Sequence, residues 1–131
     1  MVKDLHYFHA ASVQYMNKIK LAIIGYRRHA SRHIQYYKNH PKVDELIIYH
    51  PTSTHVGITN NISDVLRCDG VIVSSPTHTH LEYIEFLHSS SFSGAVYLEK
   101  PGFSTQTEAK KLRAISDSKN SLNIIIGYHE R

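Results

Sequence analysis

An apolar run, Val96-Tyr97-Leu98, leads straight into Glu99-Lys100-Pro101 and so delivers an ammonium group to the carboxyl end of a strand. In α/β sheets that rim is where ligands bind. Partial desolvation there would disfavour the charged form of an amine, which lets it exchange a proton with a nearby hydroxyl. Two other apolar runs stop just as abruptly. Leu21-Ala22-Ile23-Ile24 ends at Gly25, and Val71-Ile72-Val73-Ser74-Ser75 ends at Pro76-Thr77-His78-Thr79-His80. Three strands open onto three chemically equipped loops.

Gly25-Tyr26-Arg27-Arg28-His29-Ala30 stands in the slot of the phosphate-binding turn G-x-G-x-x-G/A, between the first strand and the first helix. The first position is glycine, and Ala30 is small enough for close helix packing. The middle glycine is replaced by Arg27, which takes away the bare backbone that normally approaches a pyrophosphate. The helix amino terminus still attracts anions through its exposed N–H groups and dipole, and Arg27, Arg28 and Arg32 add positive charge. The second strand ends at Tyr49-His50-Pro51, without the carboxylate that binds the ribose 2′-hydroxyl of an unphosphorylated dinucleotide. That tilts the reading weakly toward NADP and leaves NAD open.

The elements that must position these residues follow from periodicity. From Lys18 onward short apolar runs alternate with helical patterns, the signature of parallel strands joined by helical crossovers. Strands are expected at 20–24, 46–49, 71–75, 95–98 and 122–126, with a weaker one at 55–58. Ala30, Ile34 and Tyr37 share one face of the first helix, which Pro41 stops. A short helix is expected at 63–67, and Leu81, Ile84 and Leu87 mark a longer one that fades at Ser89-Ser90-Ser91. Thr105 and Glu108 form a capping box ahead of a helix whose buried stripe is Ala109, Leu112 and Ile115. Nearly continuous apolar strands imply a sheet covered on both faces. The expected fold is α/β: a doubly wound parallel sheet of Rossmann type, in a single domain over 18–131. Residues 1–17 are read as an N-terminal extension.

Composition bounds the rest. A chain of 131 residues with 41% apolar content supports one compact core. The net charge of +4 comes from scattered residues, and an anionic small molecule answers it as well as nucleic acid does, so no nucleic-acid partner is expected. A lone cysteine, Cys68, excludes an internal disulfide, suits a cytoplasmic setting, and reads as a small buried thiol. No apolar run approaches the ~20 residues that cross a bilayer. Eleven histidines invite a metal, notably His29 with His33 and His78 with His80, but neither pair has a convergent third ligand in sequence. No metal is expected.

In order and spacing, strand-Gly25, the loop Ser75-Pro76-Thr77-His78-Thr79-His80, Glu99-Lys100-Pro101 and the exit Gly127-Tyr128-His129-Glu130-Arg131 form one set. The set resembles the amino-terminal domain of the glucose-fructose oxidoreductase and inositol dehydrogenase family, Gfo/Idh/MocA, over about 18–131. The resemblance implies a domain that binds NAD or NADP in a sugar or polyol oxidoreductase. Its cofactor-binding residues would be Gly25, Tyr26, Arg27, Arg28, His50, Ser75, Pro76, Thr77, His80, Glu99, Lys100 and Pro101. Lys100 would be catalytic, orienting a sugar hydroxyl or assisting proton transfer, and Glu99 would sit near the nicotinamide ribose. Relatives often have a cis peptide before the proline of Glu-Lys-Pro. Thr77 departs from the family's usual asparagine. Family enzymes continue into a second α/β domain that covers the substrate; none is legible in this sequence, so the chain is expected to be incomplete as an enzyme and to self-associate. The alternative is a non-catalytic module that holds a nucleotide or a partner on an altered scaffold.

Overall fold

The computed structural model describes residues 17–127. The expected extension up to Met16 and the exit residues from Tyr128 onward lie outside them. Six strands, β1 (Ile19–Ile24), β2 (Val43–Tyr49), β3 (Ile58–Thr59), β4 (Gly70–Val73), β5 (Ala95–Leu98) and β6 (Asn123–Ile126), form one sheet in the order β3-β2-β1-β4-β5-β6. Every pairing is parallel. Three helices, α1 (His29–Tyr37), α2 (His80–Ser89) and α3 (Gln106–Asp117), and a 3₁₀ turn at Ile62–Arg67 make the main crossovers. The doubly wound Rossmann order follows from these crossovers.

Strand side chains alternate between the two faces, which divides the core in two. On one face Ala22, Ile24, Val71, Val73, Val96 and Leu98 pack against Ile84 and Leu87 of α2 and Leu112 and Ile115 of α3. On the other, Leu21, Ile23 and Ile72 meet Ala30, with Ile34 and Tyr37 behind it. Fully buried side chains such as Ile23 and Ile84 each stabilise the fold by roughly 1.5–3 kcal/mol. Cys68 is buried too, and that burial pushes its thiol up to about 11.

Three expectations need correction. The weak strand expected at 55–58 is only Ile58–Thr59, and His55 lies in the preceding loop. The polar segment 51–57 has no alternating apolar face, and local side-chain bonds claim its backbone instead: Asn60 Nδ2 donates to His50 O at 2.8 Å and to Ser53 O at 2.9 Å. The sheet is not covered on both faces throughout, because Ile125 and Ile126 of β6 remain 54% and 43% exposed. The capping box closes differently at one end. Thr105 Oγ1 accepts from Glu108 N–H at 3.2 Å as expected, but the Glu108 carboxylate reaches back to Ser104 N–H at 2.9 Å, and that bond holds its carboxyl below the ordinary value.

Candidate functional site

β1 and β4 are neighbours, yet α1 leaves β1 toward one face of the sheet and α2 leaves β4 toward the other. Such a reversal opens a crevice at the carboxyl rim. A cavity of about 610 Å³ lies there, within the usual size of a small-molecule site. All twelve residues that the resemblance marks for the cofactor pocket line it: Gly25, Tyr26, Arg27, Arg28, His50, Ser75, Pro76, Thr77, His80, Glu99, Lys100 and Pro101. Ser74 and Tyr83, which the sequence did not single out, line it as well.

The loops are held by hydrogen bonds that continue the sheet past the strands. Gly25 N–H donates to Tyr49 O at 2.9 Å, Ser74 N–H to Ile24 O at 2.9 Å, and Glu99 N–H to Val73 O at 3.0 Å. Gly25 has φ +125°, and a Cβ there would stand 2.8 Å from Ser74 O. Only glycine fits, because both the dihedral and the adjacent backbone exclude a side chain. Beside it the Ser74 Oγ is buried and has no hydrogen-bond partner among the described residues. A buried hydroxyl left unpaired is costly.

Arg28 caps α1 with φ +33°, a strained conformation for a residue with a Cβ, and makes no side-chain capping bond. The first turn of α1 contains no acidic residue. Its N–H groups and the exposed Arg27 and Arg28 therefore present positive potential to the cavity. Neither arginine makes an ion pair among the described residues. These features suit the pyrophosphate of a dinucleotide, even with Arg27 in place of the middle glycine.

On the opposite wall, buried His80 stands between two loops, with Nε2 2.8 Å from Ser75 O and Nδ1 3.3 Å from Gly102 O. It joins the Pro76 loop to the turn that follows Lys100. Thr79 Oγ1 lies 2.6 Å from Pro76 O and 2.7 Å from Ser75 Oγ, which closes the Pro76 loop on itself. The Lys100–Pro101 peptide is cis. Lys100 is exposed, which corrects the expectation that it is partly desolvated. Tyr83, packed edge-on to Tyr49 at 6.0 Å, is pushed up to about 12, chiefly by burial.

The contact least visible in sequence joins Glu99 to His33. The Glu99 carboxylate is buried, and its Oε1 lies 2.5 Å from His33 Nε2, 66 residues away on α1. The sequence assigns His33 no partner, and the structure pairs it with Glu99. Among the described residues no group of three or more His, Cys, Asp or Glu is placed to hold a metal ion. His33 lies three residues from buried Ala30, on the inward side of the helix, and a buried carboxylate needs a partner. Of these, only the spacing from Ala30 was visible in the sequence.

The family model for the Gfo/Idh/MocA oxidoreductase family, NAD-binding Rossmann fold, matches residues 19–128. The chain belongs to that family. No curated protein matches the sequence. Among solved structures, it is similar to the WlbA dehydrogenase of Chromobacterium violaceum, crystallised with NADH and UDP-GlcNAcA, at 21% identity and a TM-score of 0.69, covering 85% of this chain and 35% of that one. GenD2 from gentamicin A biosynthesis, in complex with NAD, gives 18% identity and a TM-score of 0.70 over 86% of this chain and 35% of its own. UDP-N-acetylglucosamine 3-dehydrogenase GnnA of Acidithiobacillus ferrooxidans gives 18% and 0.67, over 84% and 38%. The chain thus spans little more than a third of the length of these proteins, and at such identities the likeness shows the fold. Among the described residues no helix is long and apolar enough to cross a membrane.

Proposed function

We propose that this chain is the NAD(P)-binding part of a sugar or polyol oxidoreductase that moves hydride between a nicotinamide and a secondary alcohol. One observation carries the reading: three loops distant in sequence meet at one crevice, where bare Gly25 backbone, the unpaired Ser74 Oγ and the amino terminus of α1 adjoin. The bound nicotinamide would supply the hydride acceptor or donor. Gly25, Tyr26, Arg27 and Arg28 would hold the pyrophosphate and His50 the adenosine side. Ser75, Pro76, Thr77 and His80 would line one wall of the cofactor pocket.

Glu99, held by His33, would face the nicotinamide ribose, and Pro101 would shape the turn. Lys100 would orient the substrate hydroxyl and exchange its proton. The sugar nucleotide carried by one relative supports a sugar-type substrate. Exposed Ile125 and Ile126 support self-association of the chain as it stands. A cytoplasmic setting suits a buried free thiol.

The altered glycine turn favours a second reading, a non-catalytic binding module. Calorimetric titration of the purified chain with NADP, NAD and AMP separates the two. Saturable binding of a dinucleotide at least about tenfold tighter than AMP is expected for the oxidoreductase domain. Absence of dinucleotide binding rejects it.

A further inference from the structure

The main cavity is charged unevenly. On the β1 side it meets the amino terminus of α1 with exposed Arg27 and Arg28, while Glu99 is the one acidic side chain among its lining residues. Glu99 follows β5, two strand positions from β1 and so about 10 Å across the sheet. A ligand that matches this distribution carries negative charge at one end and positive charge at the other. A nicotinamide dinucleotide has both only in its oxidised form, since taking up hydride neutralises the ring.

The charge of Glu99 counts for more than that of its neighbour. Its side chain is only 10% exposed, whereas Lys100 is exposed, and water screens an exposed charge far more than a buried one. His33 holds the carboxylate by one oxygen, Oε1, and is not itself among the residues that line the cavity. The His33 ring is braced edge-on by Tyr97 at 6.0 Å. Burial pushes the Tyr97 hydroxyl above its ordinary value and the Glu99 charge adds to that, so Tyr97 keeps its proton. A neutral histidine that donates to a carboxylate fixes its position without cancelling its charge.

We propose that Glu99 biases the cavity toward the oxidised dinucleotide by facing the nicotinamide cation, and that His33 is the positioning residue that keeps it there. The inference rests on the nucleotide reading of the cavity. Because binding and redox equilibria are linked, the same bias lowers the potential of the bound cofactor.

Calorimetry on the whole chain at pH 8, where a free imidazole is neutral, tests it. The ligands are the oxidised and reduced forms of NAD and of NADP, with ADP-ribose as the ligand that lacks a nicotinamide. Glu99→Gln should lower the ratio of oxidised to reduced affinity at least about fivefold and leave ADP-ribose binding within about twofold. His33→Ala should lower the ratio too. His33→Gln, whose amide can donate to the same oxygen, should keep it at the parent value. An unchanged ratio in Glu99→Gln overturns the inference and leaves the nucleotide reading standing. So does a rise in His33→Ala, since the imidazole would then be a cation cancelling the carboxylate. Equal weakening of ADP-ribose and the dinucleotides also overturns it, because the pair would then support only the fold. If the parent binds no dinucleotide, the nucleotide reading fails and the inference with it.

Discussion

The β1–β2 end of the crevice is tied down by its own neighbours, whereas at the β5–β6 end the groups that could do chemistry stand in the open. Gly25 is locked against Ser74, and the loop after His50 is bridged by Asn60 and by the His50 ring. Lys100 is exposed, and Ile125 and Ile126 beyond it lie uncovered. Preorganised loops lower the ordering cost of binding, so affinity for a nucleotide can reside in this chain alone. An exposed lysine on an open rim lacks the dry surroundings in which proton and hydride transfer gain most. Binding and reaction are thus unequally provided for within one crevice.

The widest separation between the two ends comes from glycines. A Cβ at Gly25 would meet backbone at 2.8 Å and would force φ +125° on a residue that avoids it. At Gly127 the group in the way is the Tyr97 hydroxyl, the far end of a side chain that can swing aside. Gly25→Ala should therefore cost about 3 kcal/mol and weaken dinucleotide binding at least about tenfold, while Gly127→Ala costs about 1 kcal/mol or less. Thermal melts and titration measure both. Equal costs at the two positions would show that the crevice is no more rigid at one end than at the other.

A smaller effect is expected where the two ends are joined. His33 on α1 and Glu99 after β5 form a side-chain link between the helix whose amino terminus is the proposed anion site and the turn that carries Lys100. Removing the imidazole leaves a buried carboxylate with its Oε1 partner gone, so His33→Ala should cost about 2 kcal/mol. The double change His33→Ala with Glu99→Gln should recover part of that loss, because the charge needing compensation is then absent. Additive losses in urea unfolding would show that the two residues stabilise the fold independently.

Much of this was legible beforehand, for identifiable reasons. The parallel strands could be placed because each reads as an apolar run ending at glycine, proline or a polar turn, and the crevice followed from where those runs stop. Cys68 could be assigned to the interior because a lone thiol beside a strand has no chemistry to attract it elsewhere. The His33–Glu99 bond was hidden because 66 residues separate its ends: the spacing from Ala30 turns His33 inward but does not name its partner. The shape of the loop after β2 was hidden for the opposite reason: it depends on His50 bonding to backbone two and three residues away, a choice invisible in residue type. Ile124-Ile125-Ile126 misled by composition. An all-isoleucine run reads as buried on both sides, although Ile125 and Ile126 are exposed and Ile124 is only partly buried.

That run supplies the mildest test, and it bears on the open end alone. Ile125 sits opposite Tyr97 in the register of β5 and β6, on the sheet face covered elsewhere by α1. With 54% of its surface exposed it contributes little to the core, so Ile125→Lys should change stability by no more than about 0.5 kcal/mol. The same change places a charge on β6, the strand whose exposed isoleucines support the proposed self-association. Light scattering should then find the variant monomeric where the parent is not, with dinucleotide affinity unaltered. A parent chain that is itself monomeric would reject self-association through β6. Should the variant instead lose dinucleotide affinity, the contrast between a finished and an open end would have to be withdrawn, since β6 would then be supporting the nucleotide site from across the sheet.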